Sequence, residues 1–398
     1  MKITIVGGGF GGVKAALELA KDTKNSITLI SDKPDFQYYP ALYSAATGHS
    51  HLESWVPLGE IFAGKKNIHV HMDTITSVDP AKKIFVGESG TEYAYETGIL
   101  ALGSVTTYFG IQGLDSYSYG IKSAAEIKRL KQHLYEDIAE KHEVDKHYVV
   151  IGGGPTGVEL AAALGSYIER LCEHHNMKRR NIHIDLIEAA PRILPKMSEK
   201  TSRKVERRLR KLGVAVQTGK AVELATADQI MVSGKPIKSQ TVIWTSGVAN
   251  HPFFKANEAH FTFGRGGKVV VDEFMKAGDD LYVIGDNALT PFTGLAQTAL
   301  HDALFVAHNL RRIQQGSLPE KYKAVLPPVV VPVGENWAVF EWHWLRLYGW
   351  IASLLRRAAD FVGYSDILPL GQALGVWHAS RIMEDDYFTP TAKKSGSK

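Results

Sequence analysis

The sequence predicts an α/β chain of two Rossmann-like units followed by an amphipathic helical tail. Three observations predict it. The chain opens ITIVGGGFGGVKAALELA: a short apolar run, then Gly7, Gly9 and Gly12 at G-x-G-x-x-G spacing, then an alanine-rich helical stretch. The same order returns at Val149–Glu159, VVIGGGPTGVE, with Gly152, Gly154 and Gly157, followed by LAAALGSYI. Beyond Glu335 the composition turns to tryptophan and leucine at helical spacing. One glycine motif alone is a common strand-to-helix turn. Two in one chain are a much stronger signal.

The glycines have a geometric purpose. The first allows the tight turn, the second admits a pyrophosphate to the backbone, and the third lets helix pack on strand. The pyrophosphate then meets the free N–H groups and partial positive charge of a helix N-terminus. Two such cradles imply two dinucleotides, and electron transfer between them is the obvious purpose. Phe10 and Gly11 in the first cradle, and Pro155 and Thr156 in the second, are further contact candidates.

Composition narrows the chemistry. A chain of 398 residues, 44% apolar and 22% charged, is globular and long enough for two or three domains. The formal charge of +4 does not argue for nucleic acid. The basic run Lys204–Leu212 reads as the solvated face of a helix. A single cysteine, Cys172, excludes an internal disulfide or redox pair and reads as packing. The scattered histidines give metal ligation little support.

In chain order, residues 2–6 form the first strand, with no leader before it, and a helix follows to about Lys21. Strand Asn25–Ile30 ends at Ser31-Asp32, where a ribose-binding acid is expected; Asp32 is the candidate, Ser31 the alternative. DFQYYPALYSAATG (35–48) is an aromatic loop stiffened by Pro40, able to wall a planar ring or simply to pack. Glu92–Gly103 reads as a strand ending in a glycine turn, with Ala101 and Gly103 at its end. A linker follows near Gly110–Gly120, then an amphipathic helix over Ser123–Glu140. In the second unit, strand Ile182–Ile187 leads to Glu188, which would accept from a ribose 2′-OH and repel a 2′-phosphate, favouring NADH. Arg192 and Lys196 nearby leave that preference open. TVIWTSG closes this unit at Gly247. LYVIGDNA then supplies a turn at Gly285 and an acid, Asp286, able to accept from a sugar hydroxyl. A helix starts near Leu295 and Ala296, its positive end able to stabilise charge on a reduced ring.

In the tail, Trp344, Leu347, Trp350, Ile351, Leu354, Leu355, Ala358, Phe361 and Val362 share one helical sector. Arg346, Ser353, Arg356 and Asp360 fall opposite. This predicts one helix in a bilayer interface, arginines on the wet face, or a helix capping a core or dimer contact. No apolar run is long enough for a transmembrane helix. Residues 390–398 read as a disordered basic end.

Taken together, GGGFGG, ALYSAATG, LALGS, GGGPTGVELA, IEAAPRILP, VIWTSGV, VIGD and AQTA resemble the type II NADH dehydrogenases, single-subunit NADH:quinone oxidoreductases of the two-dinucleotide-binding flavoproteins. The resemblance implies an FAD domain split in sequence (1–113 and 253–318), an NADH domain inserted in it (114–252), and a membrane-associating segment (319–398). It implies bound FAD, with NADH and a quinone as substrates. Hydride would pass from NADH to flavin N5, then two electrons to quinone, without proton pumping. Glu159 would lie by the flavin–nicotinamide contact, Gln297 at the flavin edge facing quinone, and Asp286 on the ribityl chain. The last Gln of the family's AQxAxQ is absent, and His301 in that vicinity could donate a hydrogen bond or proton. A homodimer held peripherally on the cytoplasmic face of the cell membrane is expected. Sulfide:quinone oxidoreductases share the fold but use paired cysteines. A soluble NAD(P)H-dependent reductase for a ferredoxin-like acceptor, or an NADH sensor without turnover, are the rival readings.

Overall fold

The computed structural model describes residues 1–145, 147–177 and 182–384. The basic end at 390–398 lies outside the described residues.

Two sheets organise the chain. The first runs Lys276–Gly278, Leu281–Val283, Thr97–Leu100, Lys2–Val6, Ser26–Ser31, Ile68–Met72, parallel except at its 276–278 edge. The second runs Val214–Thr218, Ile184–Glu188, Tyr148–Ile151, Thr241–Trp244, all parallel. Their central strands are buried except for Lys2 at one end, as mainly Ile/Val/Leu strands covered on both faces require. Each unit also carries a three-stranded antiparallel sheet, at Ile75–Asp79, Ile84–Gly87 and Glu92–Ala94 in the first, and at Val222–Ala225, Gln229–Val232 and Lys235–Lys238 in the second. The repeat therefore extends beyond the glycine motifs. Ser104–Thr106 pairs with Val248–Asn250, so the chain leaves the first unit and returns to it along one antiparallel ribbon.

The glycine motifs sit as expected, with helices Phe10–Leu19 and Pro155–His174 starting inside them. Helix Ala124–Tyr135 starts at a complete capping box, Ser123 with Glu126, and passes into a π-turn at Glu136–Glu140. Cys172 is buried in the second core. The stretch read as one strand at Glu92–Gly103 is two: Glu92–Ala94 belongs to the small sheet and Thr97–Leu100 to the large one.

The tail corrects the sequence reading twice. Trp344 and Leu347 are not on a helix. Val329–Pro332, Ala338–Trp342 and Leu345–Gly349 form an antiparallel sheet, and the helix begins only at Trp350, running to Ser365. Arg356 is not on the wet face either; its side chain is 12% exposed and turned into the protein. The apolar sector faces outward instead, with Trp350 65% and Leu354 54% exposed. Polar residues inward and apolar residues outward invert the usual surface-helix pattern. Among the described residues no helix is long and apolar enough to cross a membrane.

The tail is integral to the fold. Val331, Val333 and Val339 join the second unit's core, while Tyr364, Ile367 and Leu368 join the first's. Glu341 of the sheet accepts from the Ser198 backbone N–H at 2.8 Å and from the Thr201 hydroxyl at 2.6 Å.

Candidate functional site

The two cradles share one backbone. Gly7 has φ +116° and Gly152 +114°, values L side chains rarely adopt. A Cβ on Gly12 would lie 1.9 Å from the Gly7 carbonyl oxygen, and one on Gly157 1.8 Å from that of Gly152, so each helix packs directly on its turn. A Cβ on Gly9 or Gly154 would meet nothing within 4 Å. That open space over a helix N-terminus fits a pyrophosphate in each unit.

A cavity of about 400 Å³ extends from the first cradle toward the second unit. Gly7, Gly9, Phe10 and Gly11 line one part, Ser31 and Asp32 the strand end beside them, and Ala101, Gly103, Gly285 and Asp286 the returning turns. Ala296 lines it from the late helix and Thr156 from the second cradle. Ser31 follows Ile30, the partner of Val6, as Glu188 follows Ile187, the partner of Ile151. Ser31 thus occupies the first unit's equivalent of the Glu188 position, and Asp32 stands one residue on. The Ser31 hydroxyl donates to the Lys33 carbonyl at 2.7 Å.

Glu188 is held at both oxygens, accepting from the Gly153 N–H at 2.6 Å and the Ala190 N–H at 2.7 Å. Arg192 is occupied. It donates to the Leu194, Met197 and Pro195 carbonyls and to the Ser202 hydroxyl, between 2.6 and 3.0 Å. Its guanidinium is turned to the loop below the strand end, while Lys196 and Lys220 are exposed there, the Lys220 N–H donating to the Glu188 carbonyl at 3.0 Å.

Asp286 accepts from the Ser104 hydroxyl at 2.8 Å. Its turn is fixed from beneath: the Gly285 N–H donates to the fully buried Asp302 at 2.9 Å, and the Tyr322 hydroxyl donates to the same carboxylate at 2.6 Å. Gln297 is exposed on the first turn of helix Ala296–Gln314, and His301 lies 2.9 Å from the Lys323 carbonyl through Nε2. From that helix it is Ala296 and Ala299 that line the cleft.

Glu159 is buried in helix Pro155–His174 and meets Arg356, whose Nη1 lies 3.4 Å from Glu159 Oε1. The same guanidinium lies 2.9 Å from Asp360 through Nε and donates to the Pro40 carbonyl at 2.7 Å through Nη2. Burial pushes the Glu159 carboxyl up to about 8 against the pull of Arg356. Pro40 thus binds the tail, while its neighbours Gln37 and Tyr39 line the cleft.

Residues 1–303 match the profile of the pyridine nucleotide-disulphide oxidoreductases. The chain belongs to that family. Membership of these oxidoreductases implies FAD, and the open cradles fit one. The chain is 29% identical to a type II NADH:quinone oxidoreductase of Mycobacterium tuberculosis over 347 residues, 80% of this chain and 74% of that one. It is 24% identical to a type II NADH:quinone oxidoreductase of Staphylococcus saprophyticus over 382 residues, 90% of this chain and 94% of that one. Its fold superposes on NDH2 of Plasmodium falciparum in complex with NADH at a TM-score of 0.83 and 19% identity, covering 95% and 97% of the two chains.

Within this family member, two features escaped the sequence reading, one in the cleft and one beside it. Lys122 lies in the stretch between the predicted linker and the next helix, yet it lines the cleft and donates to the Gly247 carbonyl at 3.2 Å. Burial lowers the pKa of its ammonium, with Glu126 and Asp286 opposing. No local pattern marks it. Arg356 was placed on the wrong face because an amphipathic pattern does not say which side is wet.

Arg356→Met leaves the buried Glu159 and the partly exposed Asp360 without their cation. We expect a loss of about 3–5 kcal/mol of stability. Because the Glu159 pKa lies above its unfolded value, its stability contribution is present at low pH and lost as pH rises toward 8. The loss in urea denaturation should therefore be larger at pH 9 than at pH 6, where Glu159 takes up a proton.

Proposed function

We propose that this protein is a type II NADH:quinone oxidoreductase that takes two electrons from NADH and gives them to a membrane quinone. The observation that carries the reading is the pair of matched cradles serving one cleft, in a chain whose relatives carry that name. Bound FAD supplies the electron chemistry; the protein supplies binding, orientation and charge.

Gly7, Gly9, Phe10, Gly11 and Gly12 hold the FAD pyrophosphate, with Ser31 and Asp32 on its ribose. Ala101, Gly103, Gly285 and Asp286 hold its sugar chain, and Ala296 presents the helix N-terminus to the ring. Gly152, Gly154, Pro155, Thr156 and Gly157 receive the NADH pyrophosphate, with Gly247 closing that site. Glu188, its carboxylate already oriented by two backbone donors, takes the ribose hydroxyls. Glu159 and the Pro40 loop stand at the contact of the two cofactors. Gln297, and His301 one turn on, face the quinone. These roles divide the chain into an FAD domain of 1–113 and 253–318, an inserted NADH domain of 114–252 and a membrane-associating segment of 319–398.

The tail is what favours a lipid-dissolved acceptor over a soluble protein acceptor. Trp350, Ile351, Leu354 and Val362 present an outward apolar face, with Trp344 and Leu370 exposed on neighbouring elements. Large side chains are worth about 1.5–3 kcal/mol each when fully buried. Four of them partly buried in an interface roughly offset the ~4–15 kcal/mol cost of association. One tail binds reversibly; a homodimer presenting two binds firmly. The protein then sits peripherally on the cytoplasmic face of the membrane.

The test is optical. Anaerobic NADH should bleach the bound flavin, and a quinone analogue should restore its colour. Bleaching without recovery would favour a sensor. A protein that takes up no flavin contradicts the reading. A second expectation concerns the nucleotide. Glu188→Gln should reduce the preference for NADH over NADPH in kcat/KM by about tenfold. NADPH should gain little in absolute terms, because Arg192 is held by carbonyls and cannot turn to a 2′-phosphate.

A further inference from the structure

The second cradle has two flanks. Its strand, Tyr148–Ile151, lies between Ile184–Glu188 and Thr241–Trp244. Glu188 ends the first neighbour, so the adenosine half of a dinucleotide belongs on that side. The nicotinamide half then crosses the other flank, where residues 245–248 leave strand Thr241–Trp244. That flank touches the cradle. The Thr245 N–H donates to the Ile151 carbonyl at 2.9 Å, and a Cβ on Gly152 would lie 3.0 Å from the Thr245 hydroxyl oxygen. It also reaches the cleft, which Val248 lines together with Thr156.

One side chain stands over this flank without serving a core. Phe109 is 65% exposed, and its ring lies on Gly247, where a Cβ would come within 2.9 Å of it. The ring meets Trp244 edge-on, with centroids 6.2 Å apart. Its backbone is strained. Phe109 and Gly110 both have positive φ, +53° and +72°, and the Ile111 N–H donates to the Tyr108 carbonyl at 3.0 Å across them. A turn with two left-handed central residues favours Gly, Asn or Asp, and a bulky ring at the first is costly. The surroundings hold the turn in place. The Phe109 N–H donates to the Thr107 hydroxyl at 3.2 Å, and Trp244 Nε1–H donates to the Thr107 carbonyl at 3.0 Å. Strain that places an exposed ring, not a buried one, adds little to packing and points to a ligand.

We propose that Phe109 is a nucleotide-binding residue whose ring packs on the nicotinamide half of NADH as that half passes Gly247 toward the flavin. Gly247 has no side chain to keep ring and nucleotide apart. The adenosine half, taken by Glu188 on the far flank, does not reach Phe109. After hydride transfer the nicotinamide ring carries a positive charge, which an aromatic face attracts, so the contact also serves NAD⁺. The inference rests on the reading of the second cradle as the NADH site.

The experiment titrates the full flavin-loaded chain, by calorimetry, with NAD⁺ and separately with ADP-ribose, which keeps the adenosine half and lacks nicotinamide. Phe109→Asn removes the ring and suits the left-handed backbone. It should raise the NAD⁺ Kd by about tenfold, as loss of one stacked aromatic does, and leave the ADP-ribose Kd unchanged. Its urea midpoint without nucleotide should not fall. Phe109→Tyr should keep the NAD⁺ affinity of the wild type. An unchanged NAD⁺ Kd in Phe109→Asn, or equal losses for the two ligands, overturns the proposal and leaves the function intact. A wild type that binds neither ligand, and whose flavin NADH does not bleach, overturns the function itself. If Phe109→Asn does not fold, hydrogen exchange in the wild type decides. The amides of residues 108–110 should be slowed by NAD⁺ and not by ADP-ribose; the same exchange with both overturns the proposal.

Discussion

The buried guanidinium of Arg356 is the contact on which the arrangement turns. It joins the tail helix to Glu159 of the second unit and to the Pro40 carbonyl of the first unit's aromatic loop. Three parts of the chain that share no sequence neighbourhood meet at one side chain. With Arg356 and Asp360 turned inward, the opposite face of the helix has to face outward, and that face is Trp350, Ile351 and Leu354. The apolar surface is therefore a consequence of the polar one. Charge satisfaction beneath the helix and exposure above it are two sides of one rotation about its axis.

Beneath this, the molecule is a repeat. Each half has a parallel sheet, a glycine turn with the same positive φ, a helix packed on that turn and a small antiparallel sheet. What differs is the residue after the second strand. In the second half Glu188 is fixed by two backbone donors, whereas in the first half Ser31 takes that place and Asp32 stands beside it. Two cradles of equal shape thus carry different chemistry at their sugar ends. The ribbon of Ser104–Thr106 with Val248–Asn250 holds the halves together where the cleft passes between them.

Much of this was legible in the residues. The glycine turns, the central strands and the helix at Ala296 follow from local patterns, because sterics and burial at those points are decided within a few residues. The tail was legible only in part. At Trp342–Leu345 the chain reverses through His343, whose φ is +51°, without the Gly or Asn-Gly that normally announces a hairpin turn. Residues 344–347 consequently read as the start of a helix. Arg356 was misplaced for a different reason: its partners Glu159 and Pro40 are brought to it by the fold alone. Lys122 entered the cleft from a stretch with no motif.

The central claim is that one cleft connects a water-soluble nucleotide with an acceptor dissolved in lipid. It is tested most directly by comparing NADH oxidation with a soluble quinone analogue and with a long-chain quinone held in liposomes. The comparison uses the wild type and a Trp350→Glu, Leu354→Glu variant, whose new charges lie on the outward face and touch no residue of the cleft. The account predicts that the variant keeps its rate with the soluble analogue and loses it with the liposome quinone. Equal rates with both acceptors, or equal losses with both, would contradict it.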